Sequence, residues 1–210
     1  LFPDPHYGDE DGLIAIGGDL SPERLANAYC NGIFPWYGFK ERDDILWWCP
    51  LDRFVIFPKE IHISHSMRQL INKDTFHTTL NTCFDRVIEE CATVNLRDKK
   101  IGAWLGEDMK NAYKEMHRLG LAASVEVWDG KGNLVGGLYG INIGNNFFGE
   151  SMFSLVPNAS KIALIFLAET MQPDGGIIDC QFETAHLKSM GGRHISYEEY
   201  MKFMETHDEG

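Results

Sequence analysis

Residues 124–154 read SVEVWDGKGNLVGGLYGINIGNNFFGESMFS, and this stretch decides the fold class. Apolar and polar side chains alternate from Ser124 to Trp128, which is the two-residue period of a strand. Two further apolar segments, 134–143 and 147–153, are joined through Gly144-Asn145-Asn146, a sequence typical of a hairpin turn. The stretch therefore predicts strands of a mainly antiparallel sheet.

Helices are predicted before and after this stretch in the sequence. Apolar residues recur three and four positions apart, as expected for helices with one buried face. The helices predicted in this way are 63–72, 84–93, 109–116, 162–171 and 197–204. A strand is predicted at 177–181. The predicted order is several helices, then an antiparallel sheet, then a helix, a strand and a helix. This order indicates an α+β fold.

The N-terminal part of the chain has a different character. Ser21-Pro22 predicts the start of a helix, because Ser is a good N-cap and Pro suits the first helical position. The aromatic segments 33–37 and 47–50 are interrupted by proline, so loops and short strands are predicted there. We therefore predict a small N-terminal α/β lobe at 1–60 and a larger domain at 61–210.

The composition is that of a globular protein with an acidic surface. Hydrophobic residues make up 44% of the 210 residues. The chain contains 19 Lys and Arg and 31 Asp and Glu, which gives a net charge of −12. This charge argues against a protein that grips long stretches of nucleic acid by charge alone, although a contact at one local patch is compatible with it. The longest apolar run, 162–168, is far shorter than the ~20 residues that span a bilayer, so no membrane association is expected.

Cysteine and histidine usage predicts a cytoplasmic protein without a metal site. The visible N-terminus lacks the basic and apolar segments of a signal peptide. His62 and His65 lie three residues apart, but no third ligand is near them in the sequence. Scattered cysteines without metal-site spacing are expected to be free thiols in a reducing compartment. These cysteines are Cys30, Cys49, Cys83, Cys91 and Cys180.

Glu150 is the first candidate for a functional side chain. It shares a strand face with Met152 by the two-residue period, and phenylalanines surround it in the sequence. A carboxylate buried in such surroundings needs a cation or hydrogen bonds, and the ammonium group of a substrate would satisfy it. The alternative is an edge-strand glutamate that faces water.

Asp179 and Gln181 are the second candidates. The two-residue period predicts that both lie on one face of the strand at 177–181. The amide oxygen of Gln181 can accept a hydrogen bond from a proton-bearing group, and an adjacent carboxylate can polarise that amide. The alternative is an exposed strand end.

The tryptophans are too many for one small core. Trp36, Trp47, Trp48 and Trp104 all fall near the predicted short strands or helices, and some of them are expected to line a pocket for a ring, either a base or an aromatic side chain. Core packing alone is the alternative.

These segments together resemble one family, the leucyl/phenylalanyl-tRNA–protein transferases of bacteria. The match extends over nearly the whole chain. It is carried by Gly12-Leu13 with 17–22, Tyr29 with 32–36, 46–50, Ser124-Val125-Glu126-Val127-Trp128, Leu134-Val135-Gly136-Gly137-Leu138-Tyr139-Gly140, Phe148-Gly149-Glu150-Ser151-Met152-Phe153-Ser154, Asn158-Ala159-Ser160-Lys161 and Ile178-Asp179-Cys180-Gln181.

The resemblance implies a reaction and a fold. Leu or Phe would pass from aminoacyl-tRNA to the α-amino group of a protein that begins with Lys or Arg, which marks that protein for N-end-rule degradation. The larger domain would be GNAT-like. No cofactor is implied, and a cytoplasmic monomer without membrane contact is expected.

The resemblance also implies roles for individual residues. Gln181 would orient the attacking amine and Asp179 would polarise Gln181, while it stays open whether this pair or the substrate's adenosine serves as the base. Glu150 would hold the donor's α-ammonium group. The donor side chain would lie among Leu138, Phe147, Met152, Leu164 and Ile178, and the 3′-terminal adenosine would contact Trp36, Trp104, Tyr29 and Tyr113.

Two other classes of protein are compatible with parts of the pattern. An acyl-CoA-dependent N-acetyltransferase of the same fold would need a pyrophosphate-binding loop at a helix start, and the sequence contains no such motif. A non-catalytic module that binds aminoacyl-tRNA or N-terminal peptides would not need Asp179 and Gln181. The helix after residue 60 is also poorer in basic residues than the family's, with His65, Arg68, Gln69, Asn72 and Lys73.

Overall fold

The computed structural model describes residues 1–37, 44–97 and 105–205. Within these residues the α-helices are α1 (Pro22–Cys30), α2 (His65–Asn72), α3 (Phe84–Arg97), α4 (Glu107–Arg118), α5 (Ala159–Met171), α6 (Ala185–Ser189) and α7 (Tyr197–Glu205). The strands are β1 (Leu13–Ile16), β2 (Phe34–Tyr37), β3 (Ile45–Trp48), β4 (Asp52–Ile56), β5 (Phe76–Leu80), β6 (Ala122–Asp129), β7 (Leu134–Ile143), β8 (Asn146–Ser154), β9 (Ile178–Asp179) and β10 (Arg193–Ser196).

A seven-stranded sheet in the order β10-β4-β9-β8-β7-β6-β5 is the largest element of the fold. Neighbouring strands pair antiparallel, except that β8 and β9 run parallel. The predicted α+β class with a mainly antiparallel sheet is therefore confirmed.

Helices cover both faces of this sheet. Phe147 and Phe148 are neighbours on β8 but belong to different apolar clusters, because successive side chains of a strand point to opposite faces. The cluster of Phe148 includes residues of α1, α3 and α4, and the cluster of Phe147 includes most of α5. In the described residues no helix is both long and apolar enough to cross a membrane.

A three-stranded antiparallel sheet in the order β1-β3-β2 forms a second layer near the N-terminus. Trp47 of β3 is buried there and donates its indole N–H to the Gly17 carbonyl oxygen at 2.8 Å. The aromatic segments predicted to contain short strands supply β2 and β3. The next strand, β4, already belongs to the large sheet. The division of the chain into 1–60 and 61–210 stays a prediction.

Helix ends follow from local sequence. Ser21 and Pro22 begin α1 as predicted. Helix α4 stops before Gly120, whose φ of +78° is a backbone conformation that glycine adopts readily. Helix α2 begins at His65, later than predicted, because Ser64 caps it by accepting the Met67 N–H at 3.3 Å.

The sequence pattern does not predict β1, β5, β10 or the short helix α6. Strands β5 and β10 are the two edges of the large sheet. Edge strands are only partly buried, so exposed polar residues such as His77 and His194 interrupt the expected run of apolar side chains.

Candidate active site

The parallel strands β8 and β9 pair over only two residues each, and β8 continues to Ser154 beyond the end of β9. The strands pair where Phe147 meets Ile178 and Phe148 meets Asp179. We call the gap beside the part of β8 that continues past β9 the wedge. A cavity of about 150 Å³ is lined there by residues of β8, of β9 and the turn after it, and of α5. Breaks in a sheet of this kind are common positions for ligand sites.

Glu150 reaches this cavity from a bulge in β8. Tyr139 of β7 pairs with Ser151, and the next residue, Gly140, pairs with Gly149, so Glu150 is the extra residue of the bulge. A β-bulge redirects a side chain and often adjoins an active site. The side chain of Glu150 lines the cavity as a result.

Apolar side chains form the body of the cavity. All five residues predicted for the donor pocket line it, and they come from β7, β8, α5 and β9. These five residues are Leu138, Phe147, Met152, Leu164 and Ile178. Leu167 and Leu187 complete the apolar wall. The structure thus brings the predicted pocket residues together around one space.

Two buried tyrosines hold the Glu150 carboxyl group. The Tyr29 hydroxyl lies 2.5 Å from Glu150 Oε1, and the Tyr113 hydroxyl donates to Oε2 at 2.8 Å. The two hydroxyls are also 2.8 Å from each other. Burial raises the pKa of Glu150 to about 7, although the hydrogen bonds from both tyrosines oppose this rise.

The short contacts among Glu150, Tyr29 and Tyr113 can also accommodate a protonated carboxyl. Three short contacts link Glu150, Tyr29 and Tyr113, but the two hydroxyls supply only two hydrogens. A protonated Glu150 supplies the third hydrogen and closes a ring of three hydrogen bonds. Burial and this third contact therefore favour the acid form, whereas the two tyrosine donors, and any cation beside the carboxylate, favour the ionised form.

The chain turns sharply directly after β9. The φ of Gln181 is +59°, and the Phe182 N–H donates to the Cys180 carbonyl oxygen at 2.7 Å. Gln181 is therefore the centre of a γ-turn with positive φ, a rare and strained conformation. The prediction that Asp179 and Gln181 share one strand face is wrong for this reason, but Gln181 does line the cavity.

Asp179 is paired with a buried cation. Arg53 Nε lies 3.0 Å from both carboxylate oxygens of Asp179, and Nη2 lies 2.8 Å from Oδ2. Both side chains are buried, at 1% and 0% exposure. The hydrogen bond between Asp179 and Gln181 runs from the Gln181 backbone N–H to Oδ1, at 2.9 Å. Polarisation of the Gln181 side-chain amide by Asp179 stays a prediction.

The predicted adenosine-binding residues lie in different environments. The ring of Trp36, on β2, is 5.8 Å from the ring of Phe182, which directly follows Gln181, so Trp36 lies beside the wedge. Tyr29 and Tyr113 are fully buried beneath Glu150. Contact of their rings with adenosine stays a prediction. Trp104 lies outside the described residues.

Comparison with known protein families identifies the family of the chain. A sequence model described as leucyl/phenylalanyl-tRNA protein transferase matches residues 55–205, and the model of that family's N-terminal domain matches residues 18–51. The chain belongs to this family.

Several relatives with the name of this family match most of the chain in sequence. The leucyl/phenylalanyl-tRNA–protein transferase of Syntrophus aciditrophicus is 52% identical over 201 residues, which cover 95% of this chain and 82% of that protein. The one from Flavobacterium johnsoniae is 48% identical and covers 98% of this chain and 96% of its own length. The one from Legionella pneumophila is 45% identical, with 97% and 90% covered.

For a member of the leucyl/phenylalanyl-tRNA protein transferase family, the chemical groups at the wedge favour positioning over covalent catalysis. Cys180 lines the cavity, but burial raises the pKa of its thiol, so it stays protonated and is a poor nucleophile. Within 1–37, 44–97 and 105–205, no group of three or more His, Cys, Asp or Glu is placed to hold a metal ion. The other residues with polar side chains that line the cavity are Glu150, Ser151 and Gln181.

Arg53 is not among the site residues that the sequence predicts. A charged residue directly before the buried residues Phe54, Val55 and Ile56 is the one local signal for it, because a charge in a core strand needs a partner. Its partner Asp179 is 126 residues away, and nothing in the sequence pattern joins the two. The role of Tyr29 and Tyr113 as supports of Glu150 was hidden for the same reason.

Proposed function

We propose that this protein transfers Leu or Phe from aminoacyl-tRNA to the α-amino group of proteins that begin with Lys or Arg. One observation carries the proposal: an apolar cavity that has a single carboxyl group, Glu150, at its rim. An amino acid esterified through its carboxyl group presents an apolar side chain and an α-ammonium group close together. The cavity suits the first and Glu150 suits the second.

The cavity volume fits the donor side chains. A cavity of roughly 150 Å³ lined by Leu, Ile and Phe is large enough to bind benzene in other proteins, so it suits the ring of Phe or the branched end of Leu. Ile and Val branch at Cβ and are stiff at χ1, so their second branch would crowd the rim. Discrimination of this kind is worth about 1–3 kcal/mol for each misfitting group.

The α-ammonium group would change the state of Glu150. A carboxyl that titrates near pH 7 is easily ionised by a neighbouring cation, and a charge-assisted hydrogen bond is worth about 1.5–3 kcal/mol. Both tyrosine hydroxyls would then donate to the carboxylate. The donor would thus be fixed at two points, its side chain and its α-nitrogen.

The transfer step needs an amine placed against an ester that is already activated. The acceptor nitrogen forms a bond to the ester carbon, the bond from that carbon to the 3′ oxygen breaks, the nitrogen loses a proton and the 3′ oxygen gains one. Gln181, at the cavity, would accept a hydrogen bond from the attacking amine and orient it. Orientation of this type can contribute several orders of magnitude to a rate.

Other parts of the surface suit the rest of the two substrates. Trp36, beside Phe182, offers an aromatic face to the 3′-terminal adenosine. The net charge of −12 favours acceptors with a cationic first residue. Transfer of Leu or Phe to such proteins would mark them for N-end-rule degradation, and we propose that the protein acts as a cytoplasmic monomer.

A transfer assay tests the proposal directly. The purified chain would be mixed with radiolabelled Phe-tRNA and a peptide that begins with Lys, and peptide-bound label would be measured. The matched control is the same peptide with an acetylated N-terminus, which has no attacking amine. Label on the free peptide alone supports the proposal. Equal label on both peptides, or none on either, would overturn it.

A further inference from the structure

The γ-turn at Gln181 is held from outside, and its support involves residues that the proposed reaction does not use. A non-glycine residue in a strained backbone conformation persists only where its surroundings fix it. Within the turn, the Phe182 N–H bonds to Cys180, and the Gln181 N–H bonds to Asp179. The position of the Gln181 side chain therefore depends on where Asp179 is held.

Asp179 has little freedom, because its carboxylate oxygens are occupied. Oδ1 accepts from Arg53 Nε and from the Gln181 backbone N–H. Oδ2 accepts from Arg53 Nε and Nη2 and from the Tyr200 hydroxyl, the last at 2.8 Å. An ionised carboxylate offers about four lone-pair positions, so these donors use its capacity. The carboxylate of Asp179 thus uses its hydrogen-bonding capacity on Arg53, Tyr200 and the Gln181 backbone.

Arg53 is fixed in turn by groups from three other elements. Its Nη2 donates to the Gly32 carbonyl oxygen, just after α1, at 2.7 Å. Its guanidinium lies 4.9 Å from the centroid of the Phe34 ring of β2 and 4.8 Å from that of the Tyr200 ring of α7. Gly32 has a φ of +70°, and a Cβ placed there would lie 2.6 Å from Tyr200 Cε1. Gly32, Phe34 and Tyr200 therefore enclose the Arg53 guanidinium closely.

We propose that Arg53 and Tyr200 are positioning residues for the transfer reaction. Through Asp179 they fix the γ-turn that aims Gln181 at the attacking amine. Asp179 then acts as an anchor for the Gln181 backbone. The inference rests on the proposed function for the role of Gln181, but the mechanical link from Tyr200 to Gln181 can be tested without any turnover.

Tyr200→Phe is the decisive variant, because it keeps the ring that packs on Arg53 and Gly32 and removes only the hydroxyl that bonds to Asp179. The matched control is Tyr197→Phe, the same substitution one turn earlier on α7. The first measurement is amide hydrogen exchange in a peptide spanning 178–184. We expect faster exchange of the Gln181 and Phe182 amides in Tyr200→Phe and wild-type exchange in Tyr197→Phe.

The second measurement is the steady-state rate of transfer from Phe-tRNA to a Lys-starting peptide. We expect kcat of Tyr200→Phe to fall by about tenfold to a hundredfold, as for a reacting group that is misplaced by about 1 Å. The KM for Phe-tRNA should change much less than kcat, because Glu150 and the five apolar residues of the donor pocket are not altered. A merely structural loss would lower the amount of folded enzyme and leave kcat per folded molecule unchanged, and a thermal melt measures that amount.

The outcomes separate this inference from the proposed function. We call the proposed link from Tyr200 and Arg53 through Asp179 to Gln181 the clamp. Unchanged amide exchange at 178–184 in Tyr200→Phe would overturn the clamp, whatever the enzyme transfers. Faster exchange with a kcat equal to that of Tyr197→Phe would also overturn it, because the turn would then move without affecting transfer. An inactive wild-type enzyme would instead overturn the proposed function, and the exchange measurement would still decide whether the clamp exists.

Discussion

Replacing Glu150 with Gln should make the protein more stable at pH 8 relative to pH 5 than the wild type is. Gln cannot ionise, but its amide oxygen can still accept a hydrogen bond from Tyr29 or Tyr113. The folded-state pKa of Glu150 is raised, so the folded state binds a proton more tightly than the unfolded chain does. The stability that this proton contributes is complete below about pH 4.5 and is lost as the pH rises through about 7.

The size of the effect follows from the pKa values. A rise of the pKa from 4.5 to about 7 corresponds to about 3 kcal/mol, at 1.36 kcal/mol for each pKa unit. Integrating proton binding from pH 5 to pH 8 assigns most of this loss, about 2–3 kcal/mol, to that interval. The wild type should lose this amount of unfolding free energy through Glu150, and the variant should not.

Urea denaturation followed by tryptophan fluorescence, at pH 5 and at pH 8, measures the difference. Glu169→Gln is the control, because Glu169 is exposed on α5 and its replacement changes the net charge by the same amount. The reasoning predicts that Glu169→Gln follows the wild type and that Glu150→Gln departs from both. If Glu150→Gln loses as much stability as the wild type between the two pH values, the carboxyl ionises normally in the folded protein and the argument from burial is wrong.

The donor amine, the tRNA body and the cavity wall each permit a further test. N-acetyl-Phe-tRNA should compete about tenfold or more weakly than Phe-tRNA for the wild type, and Glu150→Gln should reduce this gap; equal competition in the wild type would refute the role of Glu150. Because the chain carries a charge of −12, a Phe-adenosine ester should serve as donor, and affinity for whole Phe-tRNA should fall only shallowly with salt; a steep slope would contradict this. Phe147 and Leu167 also line a neighbouring cavity of about 250 Å³, so Leu167→Ala should admit a naphthylalanine donor. Met171→Ala widens only that second cavity, so this variant should not accept the naphthylalanine donor. A transfer assay with naphthylalanyl-tRNA would measure the difference.

Regular periodicity accounts for the parts of the fold that could be predicted. The β7–β8 hairpin has two long apolar strands and a glycine-containing turn, so sequence and structure agree. Helix α4 has buried residues at the predicted spacing, among them Met109, Tyr113 and Met116. The edge strands could not be predicted, because partial burial leaves a weak pattern. Family resemblance, rather than periodicity, identified the residues of the donor cavity.

The details of the site could not be predicted because the period breaks at its two main residues. The bulge at Glu150 adds a residue to β8, and the γ-turn at Gln181 ends the strand two residues earlier than the pattern indicates. Contacts such as that of Arg53 with Asp179 join residues 126 positions apart. One sequence contains no local signal for such a pair.

These breaks lie where the proposed chemistry needs them. A buried carboxyl with a raised pKa and a non-glycine residue in a strained turn both lower the stability of the folded state. A buried ion pair such as Arg53 with Asp179 is also a weak source of stability, because the desolvation of two charges offsets much of their attraction. The fold therefore gains little stability from any of the three. In the reaction that we propose, Glu150 ionises when a donor ammonium arrives, and the ion pair fixes the strained turn that holds the Gln181 amide in one place. Local rules that fail together around one cavity indicate selection for function at that cavity rather than for stability.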